Sequence, residues 1–307
     1  MNKLSIVVTI YKNEMNIVPF YEDFNANIAP FLDDYEIVMV DDDSPDNSWE
    51  IIKKICEHDN KVKGIKLIRN FGAVAASFTG LQYATGDCAT IKGADLQEPA
   101  SLTIEMYNKW KEGAKAIIAV RESRNDSFMT NLFARIYYLL VRKMISNDMP
   151  SGGFDTYLID REIIDHLVIQ SDRNSPITLQ LLWMGCGTEK VYYERLERKI
   201  GKSSWTLKKK FNLFMDSFIG FSYVPIRFMT VVGFLFAFGA LLYAIHMIIA
   251  ALQGRVDVKG YTTIIVLLSF SAGLIMFSLG ILGEYIWRTL DASRKRPISI
   301  VEDKLNV

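Results

Sequence analysis

Short apolar runs alternate with amphipathic stretches over the first 120 residues of the chain. The runs are rich in β-branched residues and predict strands, whereas the stretches carry apolar residues at helical spacing. Strands separated by helices, and apolar along their whole length, favour an α/β fold with a mainly parallel sheet covered on both faces. The predicted strands are Leu4–Ile10, Glu36–Asp41, Gly64–Ile68, Cys88–Ile91 and Ala116–Val120. The predicted helices are Glu14–Phe31, Ser48–Glu57, Ala73–Ala84 and Ala100–Glu112.

Two long apolar segments follow in the last third of the chain. Phe228–Leu252 contains no formally charged residue, and Tyr261–Ile286 contains only Glu284. About 20 apolar residues in a helix cross a hydrocarbon core, so both segments are long enough to span a membrane. Fully buried helices of a soluble protein are the alternative. The connector between the segments is short and predicts a hairpin with both ends on one side.

Basic residues are concentrated at the open end of this hairpin. Such residues favour the cytoplasmic side, so we expect the residues before and after the hairpin to be cytoplasmic. The basic residues are Lys208, Lys209, Lys210 and Arg227 before the hairpin, and Arg288, Arg294, Lys295 and Arg296 after it.

The same pattern divides the chain into four parts. Residues 1–205 form the α/β domain, and residues 206–227 mix lysine with Leu and Phe in a way typical of a helix in the membrane interface. An ordinary amphipathic surface helix is the alternative for this second part. The third part, 228–287, contains the spans 228–252 and 261–286. The fourth, 288–307, is a cytoplasmic tail.

Composition excludes several classes of protein. The 35 lysines and arginines balance 35 aspartates and glutamates, so no general attraction to nucleic acid is expected. Three cysteines, far apart, give neither a disulfide framework nor zinc-ligand spacing. The three histidines lie far from any nucleophile in sequence, so nothing supports a Ser-His-Asp or Cys-His hydrolase. The N-terminus leads directly into a predicted strand, without the pattern of a signal peptide.

Polar clusters follow four of the predicted strands. Ligands of parallel α/β sheets collect beyond the carboxyl ends of the strands, so these clusters should converge on one edge. They are Tyr11-Lys12-Asn13-Glu14, Asp41-Asp42-Asp43-Ser44, Arg69-Asn70-Phe71-Gly72 and Asp95-Leu96-Gln97.

Asp95 and Gln97 are the best candidates for a metal site. Their oxygens suit Mg²⁺ or Mn²⁺, which commonly arrive with a phosphorylated substrate. Asp41 and Asp42 could accept hydrogen bonds from a base or ribose, or help to hold a metal. A turn that caps the helix beginning at Ser48 is the alternative for this pair.

Arginines follow the fifth predicted strand. Arg121, Arg124 and Arg135 suit an anionic lipid head, because the guanidinium group binds phosphate through a planar fork of donors. Asp155 follows two glycines and could act as a base or orient an acceptor, with a plain turn as the alternative. A basic loop further on could close over a diphosphate or contact lipid headgroups. It contains Arg195, Arg198, Gly201 and Lys202.

In this order, the motifs resemble those of the inverting family-2 glycosyltransferases, and more narrowly the polyprenyl-phosphate glycosyltransferases. The resemblance runs from Leu4 to about Arg296. It rests on the four clusters above and on Arg121, Arg135, Asp155, Leu158-Ile159-Asp160-Arg161 and Arg198-Lys199-Ile200-Gly201-Lys202-Ser203.

The resemblance implies a GT-A fold and a role for each matching residue. Catalytic roles fall on Asp95, Asp155, Arg121 and Arg135, the two arginines on the acceptor phosphate. Mg²⁺ or Mn²⁺ would be bound by Asp95 and Gln97. The donor nucleotide would be bound by Tyr11, Glu14, Asp41, Asp42, Arg198 and Lys202.

The implied reaction transfers one sugar from a nucleotide-sugar, with UDP-glucose as the leading donor, to polyprenyl (undecaprenyl) phosphate. It would take place at the cytoplasmic face of a bacterial inner membrane, with the lipid bilayer as a partner. Some relatives form homo-oligomers, and the sequence leaves this chain's oligomeric state open.

Three positions depart from the family pattern. Gly93 stands where the first aspartate of Asp-Ala-Asp-Leu-Gln is usual, Asp43 replaces a glycine, and Ser204 stands where many members have lysine. Gly93 favours an alternative reading of the chain as a catalytically idle GT-A membrane scaffold. A glycosyltransferase with a different lipid acceptor is a further alternative.

Overall fold

The computed structural model describes residues 2–122, 128–170, 175–196, 214, 216–253 and 260–307. It divides into two compact units. The first contains residues 1–216 together with 297–307, and the second contains residues 217–296.

An eight-stranded sheet forms the centre of the first unit, with the strand order β7-β5-β6-β4-β1-β2-β3-β8. The pairs β1–β2, β2–β3, β1–β4 and β5–β7 are parallel, whereas β6 and β8 run antiparallel to their neighbours. The strands are β1 (Lys3–Ile10), β2 (Asp34–Asp41), β3 (Val62–Leu67), β4 (Cys88–Gly93), β5 (Ala116–Arg121), β6 (Phe154–Asp160), β7 (Thr188–Tyr193) and β8 (Val301–Leu305).

Helices pack on this sheet and bury the apolar strands. Leu4, Ile6 and Val8 of the central strand β1 are fully buried, as are Phe24 of α1 and Met106 of α4. The helices of this unit are α1 (Glu14–Asn27), α2 (Ser48–His58), α3 (Ala73–Tyr83), α4 (Ala100–Lys111), α5 (Phe128–Met144), α6 (Arg161–Gln170) and α7 (Ile177–Met184).

The second unit contains two long apolar helices, α8 (Val224–Leu252) and α9 (Tyr261–Arg294). Within them Val224–Tyr243 and Val266–Arg294, with mean hydropathies of 1.9 and 2.1, are long and apolar enough to cross a membrane. The helices contact each other: the rings of Phe236 and Phe270 lie 5.4 Å apart. The Tyr285 hydroxyl donates to the Ser222 carbonyl oxygen at 2.8 Å.

Element bounds differ from the predictions in both units: α1 ends at Asn27, four residues before the predicted end, and the ends of the hairpin also differ. Helix α8 begins four residues before the predicted span, and α9 continues to Arg294 because polar residues also prolong a helix beyond its apolar stretch. Residues 206–213 of the predicted interfacial segment lie outside the described residues. The predicted tail contains a strand, β8, and residues 297–307 belong to the first unit.

Candidate active site

Four strands of the sheet, β1 to β4, run parallel and end at the same edge, called here the carboxyl edge. Each of the four following loops contains one residue with a left-handed backbone, namely Lys12 (φ 55°), Asp43 (φ 55°), Gly72 (φ 94°) and Leu96 (φ 53°). Such a conformation costs a non-glycine residue about 1–3 kcal/mol and is concentrated at functional sites. The left-handed residues and the polar clusters therefore both indicate a functional site at the carboxyl edge.

Asp41 and Asp42 stand at the end of β2, and both are buried. The Asp42 carboxylate accepts hydrogen bonds from the backbone N–H groups of Phe71 (2.7 Å) and Gly72 (2.8 Å). Asp41 accepts one from Ser44 N at 3.3 Å. Burial raises the pKa of both carboxyl groups. Asp42 thus fixes the β3–α3 loop, Arg69–Gly72, while Asp41 closes the turn after its own strand.

Glu14 connects the loops after β1 and β2. Its carboxylate accepts a hydrogen bond from Asn47 N at 2.9 Å, and its own N–H donates to the Asp46 carboxylate at 3.3 Å. Lys12 N donates to the Ser44 hydroxyl at 3.1 Å. Glu14 therefore positions a loop, and the exposed ring of Tyr11 beside it offers an open surface.

Asp95 and Gln97 share the loop after β4. Gln97 N lies 3.4 Å from Asp95 Oδ1, and the left-handed Leu96 turns the chain between the two residues. The amide oxygen of Gln97 accepts a hydrogen bond from Arg195 Nη2, and Gln97 O accepts one from Leu196 N at 3.0 Å. The chain after β7 thus folds over this loop.

A largely buried polar cluster, formed by Lys92, Glu98, Thr103 and Thr156, supports the Asp95 loop. Lys92 Nζ lies 3.4 Å from Glu98 Oε2 and donates to Thr103 Oγ1 at 2.7 Å. The hydroxyl of Thr156 donates to Glu98 Oε1, and burial raises the pKa of Glu98. Because Thr156 follows Asp155, this cluster links the Asp95 loop to the start of β6.

Arg121, Asp155 and Tyr193 come together where β5 and β7 end and β6 begins. Arg121 forms an ion pair with Asp155, and its Nε donates to the Tyr193 hydroxyl at 3.4 Å. That hydroxyl lies 3.5 Å from Asp155 Oδ1. Burial and the nearby Asp155 raise the pKa of Tyr193, which keeps the phenol neutral.

Helix α5, which carries Arg135, packs against Gly153, the residue before β6. A methyl group added at Gly153 (φ 66°) would lie 2.1 Å from the Tyr138 ring, so glycine allows α5 to approach the start of β6. Arg135 lies on the exposed side of the same helix, three residues before Tyr138.

The structure brings the predicted residues together in two groups on one edge. Asp95 and Gln97 share a loop, and Arg121 pairs with Asp155. Arg124, Arg198 and Lys202 lie outside the described residues. Sequence reasoning missed Tyr193 and the Lys92–Glu98 pair. A lysine inside an apolar strand was a usable signal for the pair, whereas nothing local marks Tyr193.

The residues around Asp95 fit a divalent cation that takes most of its ligands from a substrate. Asp95 and Gln97 supply hard oxygen ligands, and Mg²⁺ is commonly held by one or two carboxylates together with phosphates. The described residues contain no group of three or more His, Cys, Asp or Glu side chains around a common point. The Gln97 amide oxygen accepts a hydrogen bond from Arg195 and has a second lone pair that could bind a metal.

Fold and site define the class of the protein: an α/β domain of GT-A type followed by two helices able to span a membrane. The fold is shared with mannosyl-3-phosphoglycerate synthase from Rubrobacter xylanophilus, with a TM-score of 0.50 and 16% identity. That alignment covers 70% of this chain and 71% of the other. The predicted fold class is confirmed.

Residues 5–168 match the family described as Glycosyl transferase family 2, and residues 224–288 match the one described as GtrB C-terminal hairpin. The chain belongs to glycosyl transferase family 2, which confirms the resemblance drawn from the motifs.

Relatives match the chain over nearly its whole length. The bactoprenol glucosyl transferase of Shigella phage SfV is 32% identical, covering 98% of this chain and 99% of the relative. The prophage bactoprenol glucosyl transferase homolog of Escherichia coli K12 is 31% identical, covering 98% of each chain. The glycosyltransferase YkcC of Bacillus subtilis is 32% identical, covering 99% of this chain and 94% of the relative.

Proposed function

We propose that the protein transfers one hexose from a nucleotide-sugar to a polyprenyl phosphate, with inversion at the anomeric carbon. Two full-length relatives are named for glucose transfer to bactoprenol, which supports glucose as the sugar and undecaprenyl phosphate as the acceptor. The observation that carries the proposal is the carboxyl edge. It places Asp41, Asp95 and the Arg121–Asp155 pair along one row of loops.

The reaction needs little proton transfer. An acceptor phosphate is anionic at neutral pH and can attack the anomeric carbon as one of its oxygens forms the new bond. The bond to the nucleoside diphosphate breaks, and the diphosphate leaves as an anion. The barrier therefore lies in bringing two anions together and in stabilising the departing charge.

Arg121 is suited to hold the incoming phosphate. Arginine carries five N–H donors, and its contacts with Asp155 and Tyr193 use two of them. Asp155 and Tyr193 can therefore hold the guanidinium in place while it binds a phosphate. Arg135 on α5, and Arg198 and Lys202 on the basic loop, are proposed to add positive charge on the acceptor and donor sides respectively.

Asp95 and Gln97 are proposed to hold Mg²⁺ or Mn²⁺. The cation, when bound, would neutralise charge on the departing diphosphate. Asp41 and Tyr11 are proposed to contact the nucleoside. Glu14 and Asp42 are proposed to bind the nucleotide as well, and their carboxylates also fix the loops around it by accepting backbone hydrogen bonds.

The membrane arrangement follows from the hairpin. We propose that α8 and α9 span a bacterial inner membrane and that the first unit faces the cytoplasm. Tyr223 and Arg227 near the start of α8, and Trp287 and Arg288 near the end of α9, are residue types enriched at membrane interfaces or on the cytoplasmic side.

The proposal is tested with purified protein in lipid nanodiscs. UDP-glucose, other UDP-hexoses and GDP-mannose are each incubated with undecaprenyl phosphate or with diacylglycerol, and lipid products are identified by mass spectrometry. We expect a hexosyl phosphoprenol from UDP-glucose. Product on diacylglycerol alone would assign a different acceptor, and no product from any pair would favour an idle scaffold.

A further inference from the structure

The C-terminal segment, residues 297–307, lies beside the β3–α3 loop. Its strand β8 pairs antiparallel with β3, and this pairing ends where Ile68 N donates to Ile300 O at 3.0 Å. The next residue along the chain is Arg69, the first of the loop that Asp42 holds through Phe71 and Gly72.

The same segment also contacts the helix that follows the loop. The hydroxyls of Ser299 and Thr79 lie 2.6 Å apart, and Thr79 donates its own proton to Ala75 O at 2.8 Å. Ser299 is therefore the donor to Thr79, a fully buried residue of α3. Ile298 beside it is also buried. Residues 298–300 thus contact Ile68, just before the loop, and Thr79 of α3, the helix that follows the loop.

The far end of the segment is anchored elsewhere. The side-chain amide of Asn306 donates to the carbonyl oxygens of Cys56 (2.8 Å) and Val62 (2.9 Å), near the start of β3. This anchor is separated from the β3–α3 loop by the length of β3, so the two ends of the segment can be tested independently.

We propose that residues 298–300 position the β3–α3 loop for binding of the donor nucleotide, so that the C-terminal segment is part of the donor site. Three contacts bear on the loop: Ile300 at the residue before it, Ser299 on the helix after it, and Asp42 within it. Weakening of the first two leaves Asp42 with a larger share in ordering the loop. The functional part of this inference rests on the proposed function, because it takes the Asp42 side of the carboxyl edge to be the donor side.

The test uses the full chain in nanodiscs with Ser299→Ala and Ile298→Ala. Hydrogen exchange of the peptide containing residues 68–72 is measured by mass spectrometry, together with KM for the nucleotide-sugar and for the lipid acceptor. We expect exchange of the Phe71 and Gly72 amides to accelerate about tenfold, as for the loss of a typical hydrogen bond. Donor KM should rise by a similar factor, while acceptor KM is unchanged.

Asn306→Ala is the matched control, since it weakens the same segment at its other end. We expect this variant to lower the unfolding temperature while leaving exchange of residues 68–72 close to wild type. Unchanged loop exchange in both Ser299→Ala and Ile298→Ala would overturn the proposal. Equal acceleration in Asn306→Ala would also overturn it, because the segment would then be a general support.

The exchange measurement separates this inference from the proposed function. If the wild-type protein transfers no sugar, the proposed function fails, but exchange of the loop still reports whether residues 298–300 position it. If transfer occurs and donor KM is unchanged despite faster exchange, the proposed function stands and the donor-site role is wrong.

Discussion

Asp43 shows how one backbone angle limits the residues that can stand in the site. Its φ of 55° lies in the left-handed region, where glycine is the usual residue and aspartate is one of the few others tolerated. The departure from the glycine usual in the family is therefore compatible with the same loop conformation. A β-branched residue here would strain the loop that carries Asp41 and Asp42.

At the residue scale, Tyr193 is proposed to position Arg121. Tyr193→Phe removes the hydroxyl between Arg121 and Asp155 but keeps the ring, so we expect kcat to fall about tenfold with little change in unfolding temperature. Donor KM should stay constant, since the contact lies on the proposed acceptor side. Tyr192→Phe, at an exposed neighbouring position, is the control and should behave as wild type. Equal kinetics for the two variants would argue against the role.

Substitution of Gly93 tests whether Asp95 binds a metal ion. A Cβ added there would lie 3.3 Å from Asp95 Oδ1, so Gly93→Asp places a second carboxylate beside the first. We expect the two charges to repel without a cation and to bind Mn²⁺ more tightly, by about tenfold in half-saturating concentration. Thermal unfolding measured against Mn²⁺ concentration checks this. Gly93→Asn is the uncharged control, and equal Mn²⁺ dependence in the two variants would contradict a metal at Asp95.

At the scale of elements, the sequence pattern predicted some strands and missed others. The alternation of apolar runs and helices was enough to predict β1 to β5, because each of these strands is buried along most of its length. Strands β6, β7 and β8 were not predicted. Strands β7 and β8 lie at sheet edges, and their exposed charged residues resemble a loop or a tail. Asp155 was expected in a turn after two glycines, but it lies in the buried strand β6.

The site was predictable to the extent that its residues follow strands. Asp41, Asp95 and Arg121 were found because they end or follow buried strands that converge on one edge. The Arg121–Asp155 pair depends on the antiparallel β6, and the hydroxyl of Tyr193 depends on β7. Neither pairing is local in sequence, so neither contact could be predicted.

Gly153 tests the contact between helix α5 and the turn that precedes β6. Gly153→Ala combines a left-handed backbone with a methyl group inside the Tyr138 ring, so we expect a loss of about 2 kcal/mol or more in unfolding free energy. Activity should fall with it, because Asp155 lies two residues further on. In Gly152→Ala the added methyl group meets, among the described residues, only Arg121 O at 3.5 Å, so this variant should be tolerated. Equal unfolding free energies for Gly153→Ala and Gly152→Ala, measured by thermal unfolding, would contradict the contact between α5 and Gly153.

Glu36 of β2 makes the stability of the sheet depend on pH. Burial alone would raise the pKa of Glu36, but hydrogen bonds from Lys3, Ser5 and Thr85 outweigh it and lower the pKa to about 2. A depressed carboxyl pKa stabilises the fold above the unfolded value of 4.5, and this stabilisation is lost as pH falls from there towards 2.

Glu36→Gln is expected to lower the unfolding free energy near neutral pH by about 3 kcal/mol, since it leaves buried donors without their charged partner. The difference from wild type should shrink as pH falls below 4.5. Thermal unfolding between pH 7 and pH 3 measures this. Glu50→Gln removes an exposed ion pair with Lys53 and should cost under about 1 kcal/mol. A difference between Glu36→Gln and wild type that stays constant across this range would contradict the assignment.

At the scale of the whole molecule, β8 restricts the path of the chain. Strands before the hairpin and after it belong to one sheet, so both ends of the hairpin are on the same side of any membrane it crosses. Two crossings by α8 and α9 satisfy this requirement. The basic residues flanking the hairpin had indicated the same arrangement, and the sheet supports it independently of charge.

The central claim is that Asp95 at the carboxyl edge promotes departure of the nucleoside diphosphate when a polyprenyl phosphate attacks. The most direct measurement is UDP release from UDP-glucose by wild type and Asp95→Asn in nanodiscs, with and without undecaprenyl phosphate. We expect release by the wild type to depend on the acceptor and to fall about 10²–10³-fold in Asp95→Asn. Release that ignores the acceptor, or a variant within a few-fold of wild type, would contradict the account.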